Sequence, residues 1–203
     1  MSFGPEVTVR YADPRPGKVG SVRLGHFSPR QAQPLFPFPS DDPTLPFIEP
    51  VANYVRSETP LGYMLARILP KDVVGWGIWE QDRLLGFIEM ARKEESNRVV
   101  SFAVVLEPNA RQRGAGPLAV AGALHFAFSP NQLAKYLNGF SPLGAAAIHT
   151  LVSPPNERSL TMCERLGFER RRQTRSYTGS TWLELVLPAP DEQIYRPEGF
   201  LFD

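Results

Sequence analysis

Apolar and polar residues alternate most regularly in two stretches, Gly75 to Glu80 and Arg83 to Met90, separated by Gln81-Asp82. A period of two around a short polar break predicts a β-hairpin. Arg98 to Leu106 reads as a third strand of that group and Ser21 to Phe27 as an earlier one. Pro117 to Phe128 is apolar and rich in alanine, which predicts a helix buried on most sides. Ala145 to Val152 predicts a buried strand. Asn156 to Leu166 predicts a helix, with Asn156 as N-cap and Gly167 as its stop. Phe168 to Tyr177 and Thr181 to Leu187 predict a closing hairpin around Thr178-Gly179-Ser180.

Between these elements the pattern breaks. Proline recurs from Pro34 to Pro50 among Phe36, Phe38, Phe47 and Ile48, which predicts an irregular loop packed by its aromatics. Glu49 to Leu69 has mixed helical spacing interrupted by Pro60. Ser129 to Gly144 reads as an insertion with a short amphipathic piece at Leu133 to Leu137. Residues 1–20 read as a loosely held arm and 188–203 as a C-terminal tail, leaving one domain over 21–187.

Composition narrows the classes. A chain of 203 residues with 42% hydrophobic content can bury one sizeable core. A net charge of +1 argues against a general nucleic-acid binder. Lysine occurs only at positions 18, 71, 93 and 135, so arginine carries most of the positive charge and suits bidentate phosphate contacts. The single cysteine, Cys163, excludes an intrachain disulfide framework and fits a reducing compartment. No signal segment or membrane span is read. The expectation is a soluble, cytoplasmic protein with no membrane partner.

The chemistry concentrates in two motifs. Leu106-Glu107-Pro108-Asn109-Ala110-Arg111-Gln112-Arg113-Gly114-Ala115-Gly116 ends a strand, turns through two glycines and opens a helix at Pro117. Glycines let the backbone approach a pyrophosphate closely, and a helix N-terminus supplies N–H donors and a favourable dipole. Pro117 sits where a missing N–H costs little. The glycine spacing is wrong for a dinucleotide fold, and no Gly-Lys-Ser/Thr follows for a P-loop. The second motif runs from Asn156 through Ser159 and Cys163 to Leu166-Gly167-Phe168.

Taken in order, these two motifs and the strand between them resemble the GNAT superfamily of acyl-CoA-dependent N-acyltransferases. The resemblance covers roughly Ser21 to Leu187. Arg111, Gln112-Arg113, Gly114, Ala115, Gly116 match the family's phosphate-turn pattern throughout, and the Asn-x-x-Ser form of the second motif looks like the ribosomal-protein acetyltransferase type. The resemblance implies an α/β (α+β) fold: a twisted, mostly antiparallel sheet flanked by helices, with a cleft between the Arg98–Leu106 and Ala145–Val152 strands. It implies acetyl-CoA as acyl donor, bound by Val104, Val105, Leu106, the Arg111–Gly116 turn, Asn156 and Ser159. It implies an amine acceptor, from a small molecule or a peptide, and pairing of copies through edge strands, for which Thr181–Leu187 is the candidate.

One position departs from the family. Cys163 stands where relatives often carry the tyrosine that protonates the leaving thiolate. Cys163 either donates that proton or packs as a small buried hydrophobe. A thiol of reference pKa about 8.5 can in any case leave largely as thiolate. Glu89 and His149 compete as general base. Glu107 reads as solvated, His125 as a core residue, and His26 has no supporting context. No Cys or His cluster has metal-ligand spacing, and no nucleophile elbow supports a hydrolase. Three alternatives stand beside acyl transfer: a GNAT-fold protein that only binds CoA, a GNAT-like enzyme that modifies a nucleobase or natural product, and an unrelated α/β protein whose glycine turn is purely structural. The aromatics Phe36, Phe38, Phe47, Tyr136 and Phe140 suggest an apolar-walled acceptor pocket.

Overall fold

The computed structural model describes residues 3–28, 31, 73–93, 96–175, 179, 181–191 and 194–203. The proline-rich loop expected at 34–50, the segment 49–69 and most of the Thr178-Gly179-Ser180 turn lie outside the described residues.

Among the described residues nine strands form one sheet, in the order β7-β8-β6-β5-β4-β3-β2-β1-β9. They are β1 Val7–Tyr11, β2 Ser21–Gly25, β3 Val73–Glu80, β4 Arg83–Arg92, β5 Val99–Leu106, β6 Ala147–Val152, β7 Glu169–Arg175, β8 Thr181–Pro188 and β9 Phe200–Phe202. Every neighbouring pair is antiparallel except β5 and β6. The expected mixed, mostly antiparallel sheet is present. The expected hairpin is β3 and β4, and both are buried along nearly their whole length, as suits the middle of a sheet.

Two α-helices are described, α1 Ala115–Phe128 and α2 Glu157–Arg165. They share one continuous core with Ile88, Met90, Val100, Phe102, Ile148 and Leu185. Gly122 lets α1 close on the sheet: a Cβ there would stand 2.6 Å from Val9 and 2.9 Å from Leu24. The α2 cap is as expected. The Asn156 side chain accepts from Ser159 N, and beyond the last turn Phe168 N donates to Cys163 O and Gly167 N to Glu164 O. That double bond with Gly167 at φ +91° is a Schellman stop.

Four expectations need correction. Helix α1 opens at Ala115, two residues before Pro117. Pro117 is still in the first turn, where no intrahelical N–H bond is lost. Residues 1–20 are not a loose arm throughout, because Val7–Tyr11 pairs with β2 and Val9 is fully buried. The tail returns as β9 against β1, and Arg10 pairs with Asp203 at 2.9 Å. Finally, Thr181–Leu187 is no edge strand. It lies between β6 and β7, so its backbone is already paired on both sides.

Candidate active site

The site begins where the one parallel pair fails. β5 and β6 pair only at Val99–Ala147, Val100–Ile148 and Ser101–His149, after which β5 runs on to Leu106 and β6 to Val152 without further pairing between them. The Thr150 hydroxyl donates to Phe102 O at 3.4 Å in the crotch of this fork. A cleft of about 1660 Å³ passes through it. Its lining includes Val104, Val105 and Leu106 on β5 and Asn156, Ser159 and Cys163 at α2.

At one mouth the Arg111–Gly114 turn delivers the chain into α1. Gly114 is the N-cap at φ +99°, a conformation that other residues rarely adopt. Tyr11 donates to Gly114 O at 3.1 Å, and a Cβ on Gly114 would meet that ring at 3.3 Å. Lys18 Nζ donates to Gln112 O at 2.6 Å, and Arg111 Nε to Leu106 O at 3.0 Å. Burial raises the Tyr11 phenol above its ordinary value, so it stays a donor.

Arg111, Gln112, Gly114 and Gly116 line the cleft, whereas two residues expected with them do not. Arg113 turns aside to Glu80, with Nη2 donating to Oε1 at 3.0 Å, and its carbonyl accepts from Val19 N. Ala115 is packed into the core. Basic side chains the sequence reading missed also line the cleft, Arg15, Lys18, Arg158 and Arg165, beside the acidic Asp13, Glu157 and Glu198, and Lys18 is bonded to the turn itself. A glycine-opened helix start ringed by cations fits a diphosphate.

The other side of the fork is the sheet face away from α1. Cross-strand register puts Glu89 opposite Ala103, and Ala91 opposite Ser101, so Glu89 and Ala91 share that face of β4, with Lys93 just beyond its end. His149 on β6 and Glu184 on β8 lie diagonally, since Leu151 faces Glu184 and His149 faces Val186. Glu184 is 7% exposed and holds three neighbours. Oε1 is 3.1 Å from Lys93 Nζ and 3.0 Å from His149 Nδ1, and Oε2 accepts from Arg172 Nε at 3.0 Å. Lys93 Nζ is also 3.0 Å from His149 Nδ1. Burial pushes the Glu184 carboxyl up, but the bonds from His149, Lys93 and Arg172 outweigh it and hold it at about 2. Glu89 is 4% exposed and lines the same cleft. His125, expected in the core, is instead half-buried, stacked on Phe202 with its Nδ1 2.9 Å from Tyr195 O.

Because the folded Glu184 carboxyl lies below its ordinary 4.5, it stabilises the fold fully above about pH 4.5. That stability is lost as pH falls toward 2, and the solvent around Lys93 and Arg172 keeps it modest. Urea midpoints measured from pH 6 to 2 should fall steeply across this window in the wild type and more shallowly in Glu184→Gln.

Cys163 is 1% exposed, and burial, with a smaller push from Glu164, raises its thiol to about 12. Protonating a thiolate of pKa about 8.5 from such a thiol is uphill by on the order of 5 kcal/mol. Tyr195, beside it, donates to Leu166 O at 2.8 Å and does not line the cleft, so it does not replace the missing tyrosine. Cys163→Ala should leave kcat within about threefold and lower stability by about 1 kcal/mol, a small-cavity cost. Initial rates and melting curves check both.

Among the described residues no three His, Cys, Asp or Glu side chains gather as a metal site, and no helix is long and apolar enough to cross a membrane.

Residues 21–169 match the family model for the acetyltransferase (GNAT) domain, well over half of the chain. The chain belongs to the GNAT acetyltransferase family. No curated protein sequence matches it. Solved structures share the GNAT fold at low identity. RimJ of Mycobacterium smegmatis, in complex with CoA-disulfide, is 13% identical with TM-score 0.63, over 93% of this chain and 90% of that one. RimL, a ribosomal L7/L12 alpha-N-protein acetyltransferase in complex with coenzyme A, is 12% identical with TM-score 0.59, over 82% and 93%. Spermidine N-acetyltransferase from Vibrio cholerae, in complex with CoA and spermine, is 14% identical with TM-score 0.50, over 65% and 76%. The forked β5–β6 pair and the glycine turn are thus parts of a GNAT domain.

Proposed function

We propose that this GNAT domain transfers an acyl group, acetyl in the simplest case, from acyl-CoA to an amine of a small molecule or peptide. The observation that carries the reading is the fork itself. It has a cation-ringed helix start at one mouth and a histidine locked to a buried carboxylate at the other. When bound, acyl-CoA supplies an electrophilic thioester carbonyl and a thiol leaving group.

The chain's own residues divide the rest. Arg111, the N–H groups of the first turn of α1 and the neighbouring Arg15, Lys18, Arg158 and Arg165 hold the phosphates. Val104 to Leu106 offer backbone groups to the pantetheine arm, and Asn156 and Ser159 wall its other side. Glu89 draws the acceptor ammonium to the fork. His149 Nδ1–H donates to Glu184, which leaves the Nε2 lone pair to accept the amine proton. An amine of pKa about 10.4 is mostly charged at neutral pH, so a fixed base next to the thioester shortens its deprotonation. His149 is preferred over Glu89 as base because its ring has a partner that sets the tautomer. Glu184 acts through His149 as a positioning residue. With no disulfide and a buried lone thiol, we infer a cytoplasmic setting.

The high-lying Cys163 thiol favours one second reading, a domain that binds CoA without transferring its acyl group. Release of free thiol from acetyl-CoA over a panel of amines separates the two. Amine-dependent release supports transfer, and saturable CoA binding with no release from any amine supports the second reading.

A further inference from the structure

The acceptor end of the cleft carries more positive charge than the deprotonation of an amine requires. Among the described residues its ionisable lining is Glu89, Lys93, His149, Arg172, Arg175 and Glu184, three permanent cations against two carboxylates. Glu184 alone cannot occupy the donors around it. Arg172 gives it only Nε, and a guanidinium has four further N–H groups. The Arg172 side chain is 74% exposed and that of Lys93 45%. Lys93 Nζ meets Glu184 Oε1 and His149 Nδ1, which leaves at least one of its three N–H groups for the cleft. Both cations are therefore fixed by a buried anion while still offering donors to the cleft. Anchored donors of this kind, next to but distinct from the base, make a fork for a second, negative group of the acceptor.

We propose that Lys93 and Arg172 form a carboxylate subsite. The acceptor is then an amine that carries a carboxylate a few atoms away. This rests on the acyl-transfer reading for the role of the amine and extends it to the substrate class. The anion on Lys93 sits one imidazole ring away from His149 Nε2, while Glu89 takes the ammonium. Phe87 and Trp182, which line the same cleft, give such an acceptor an apolar wall. The arrangement discriminates against polyamines, whose further ammonium groups would meet Lys93 and Arg172. Two kinds of acceptor share this chemistry: a free amino acid through its α-carboxylate, and a peptide N-terminus through an acidic side chain.

The test compares matched probes in binding and in turnover. Calorimetric titration of the CoA-loaded protein with N-acetyl-L-phenylalanine, N-acetyl-aspartyl-phenylalanine amide and N-acetylphenethylamine reads the subsite without any reaction. At least one carboxylate probe should bind about tenfold tighter than the uncharged one, as one charge-assisted contact allows. The preference should vanish in Arg172→Gln and in Lys93→Gln while the uncharged probe is unaffected. Whichever carboxylate probe binds identifies the source. Equal affinity for all three probes, or a preference that survives in both variants, overturns the proposal. Thiol release with L-phenylalanine, aspartyl-phenylalanine amide and phenethylamine reports separately on acyl transfer. Carboxylate-selective binding with no release from any amine leaves the subsite standing and sinks the transferase reading.

Discussion

His149→Gln should lower kcat for acyl transfer by about 10²- to 10⁴-fold, the range a positioned base contributes, and leave the affinity for acetyl-CoA unchanged. Glutamine keeps the width of the side chain and a donor for Glu184, so the β6–β8 register at Leu151–Glu184 and the Lys93 and Arg172 pairs survive. What it removes is the lone pair proposed to accept the proton. The split is informative, because His149 lies at the point where β5 and β6 part, whereas the phosphate turn lies beyond the end of β5 at Leu106. Glu184→Gln should show a weaker version of the same loss, since Nε2 remains but its tautomer is no longer imposed. If His149→Gln retains wild-type kcat, the base is elsewhere and Glu89 is the residue to replace next.

The parts of this site differ in how far the sequence displays them, and the difference is physical. β3 and β4 are legible because a hairpin is local and its period of two is printed in ten or so consecutive residues. The α2 cap is legible for the same reason, with Asn156 and Gly167 bracketing a single helix. β1 and β9 are not, because Arg10 and Asp203 meet across 193 positions and each strand is too short to show a pattern. The phosphate turn was found through its glycines, but which arginine faces the ligand depends on backbone torsions. Gln112 and Gly114 both take positive φ, and the chain's turn there sends Arg111 to the cleft and Arg113 to Glu80. Arg15 and Lys18 reach the same turn from a loop about a hundred positions earlier, with Lys18 bonded to Gln112 O. Glu184 reads in sequence as one polar residue of an alternating strand. Only the β6–β8 register reveals that it lies diagonally from His149.

The second large effect is expected at Gly116, the second residue of α1. A Cβ there would stand 3.5 Å from Leu106 Cδ1 and 3.6 Å from Met162 Sδ, ordinary contact distances, so Gly116→Asp can be built without moving the backbone. An aspartate in the first turn also suits the helix dipole by about 0.3–1 kcal/mol. The melting temperature should therefore hold or rise. For a diphosphate the same carboxylate is a direct competitor. It pairs with the arginines at that mouth and repels the ligand by about 4 kcal/mol at roughly 4 Å and an effective dielectric near 20, more than a hundredfold in affinity. Folding and donor binding thus move in opposite directions in one variant.

That opposition makes the decisive measurement simple: calorimetric titration of acetyl-CoA into the wild type and into Gly116→Asp, with a melting curve on each. The acyl-CoA site described above requires one-to-one binding by the wild type and a loss of more than about a hundredfold in a variant that melts no lower. No binding by the wild type, or equal binding by a folded Gly116→Asp, would contradict it.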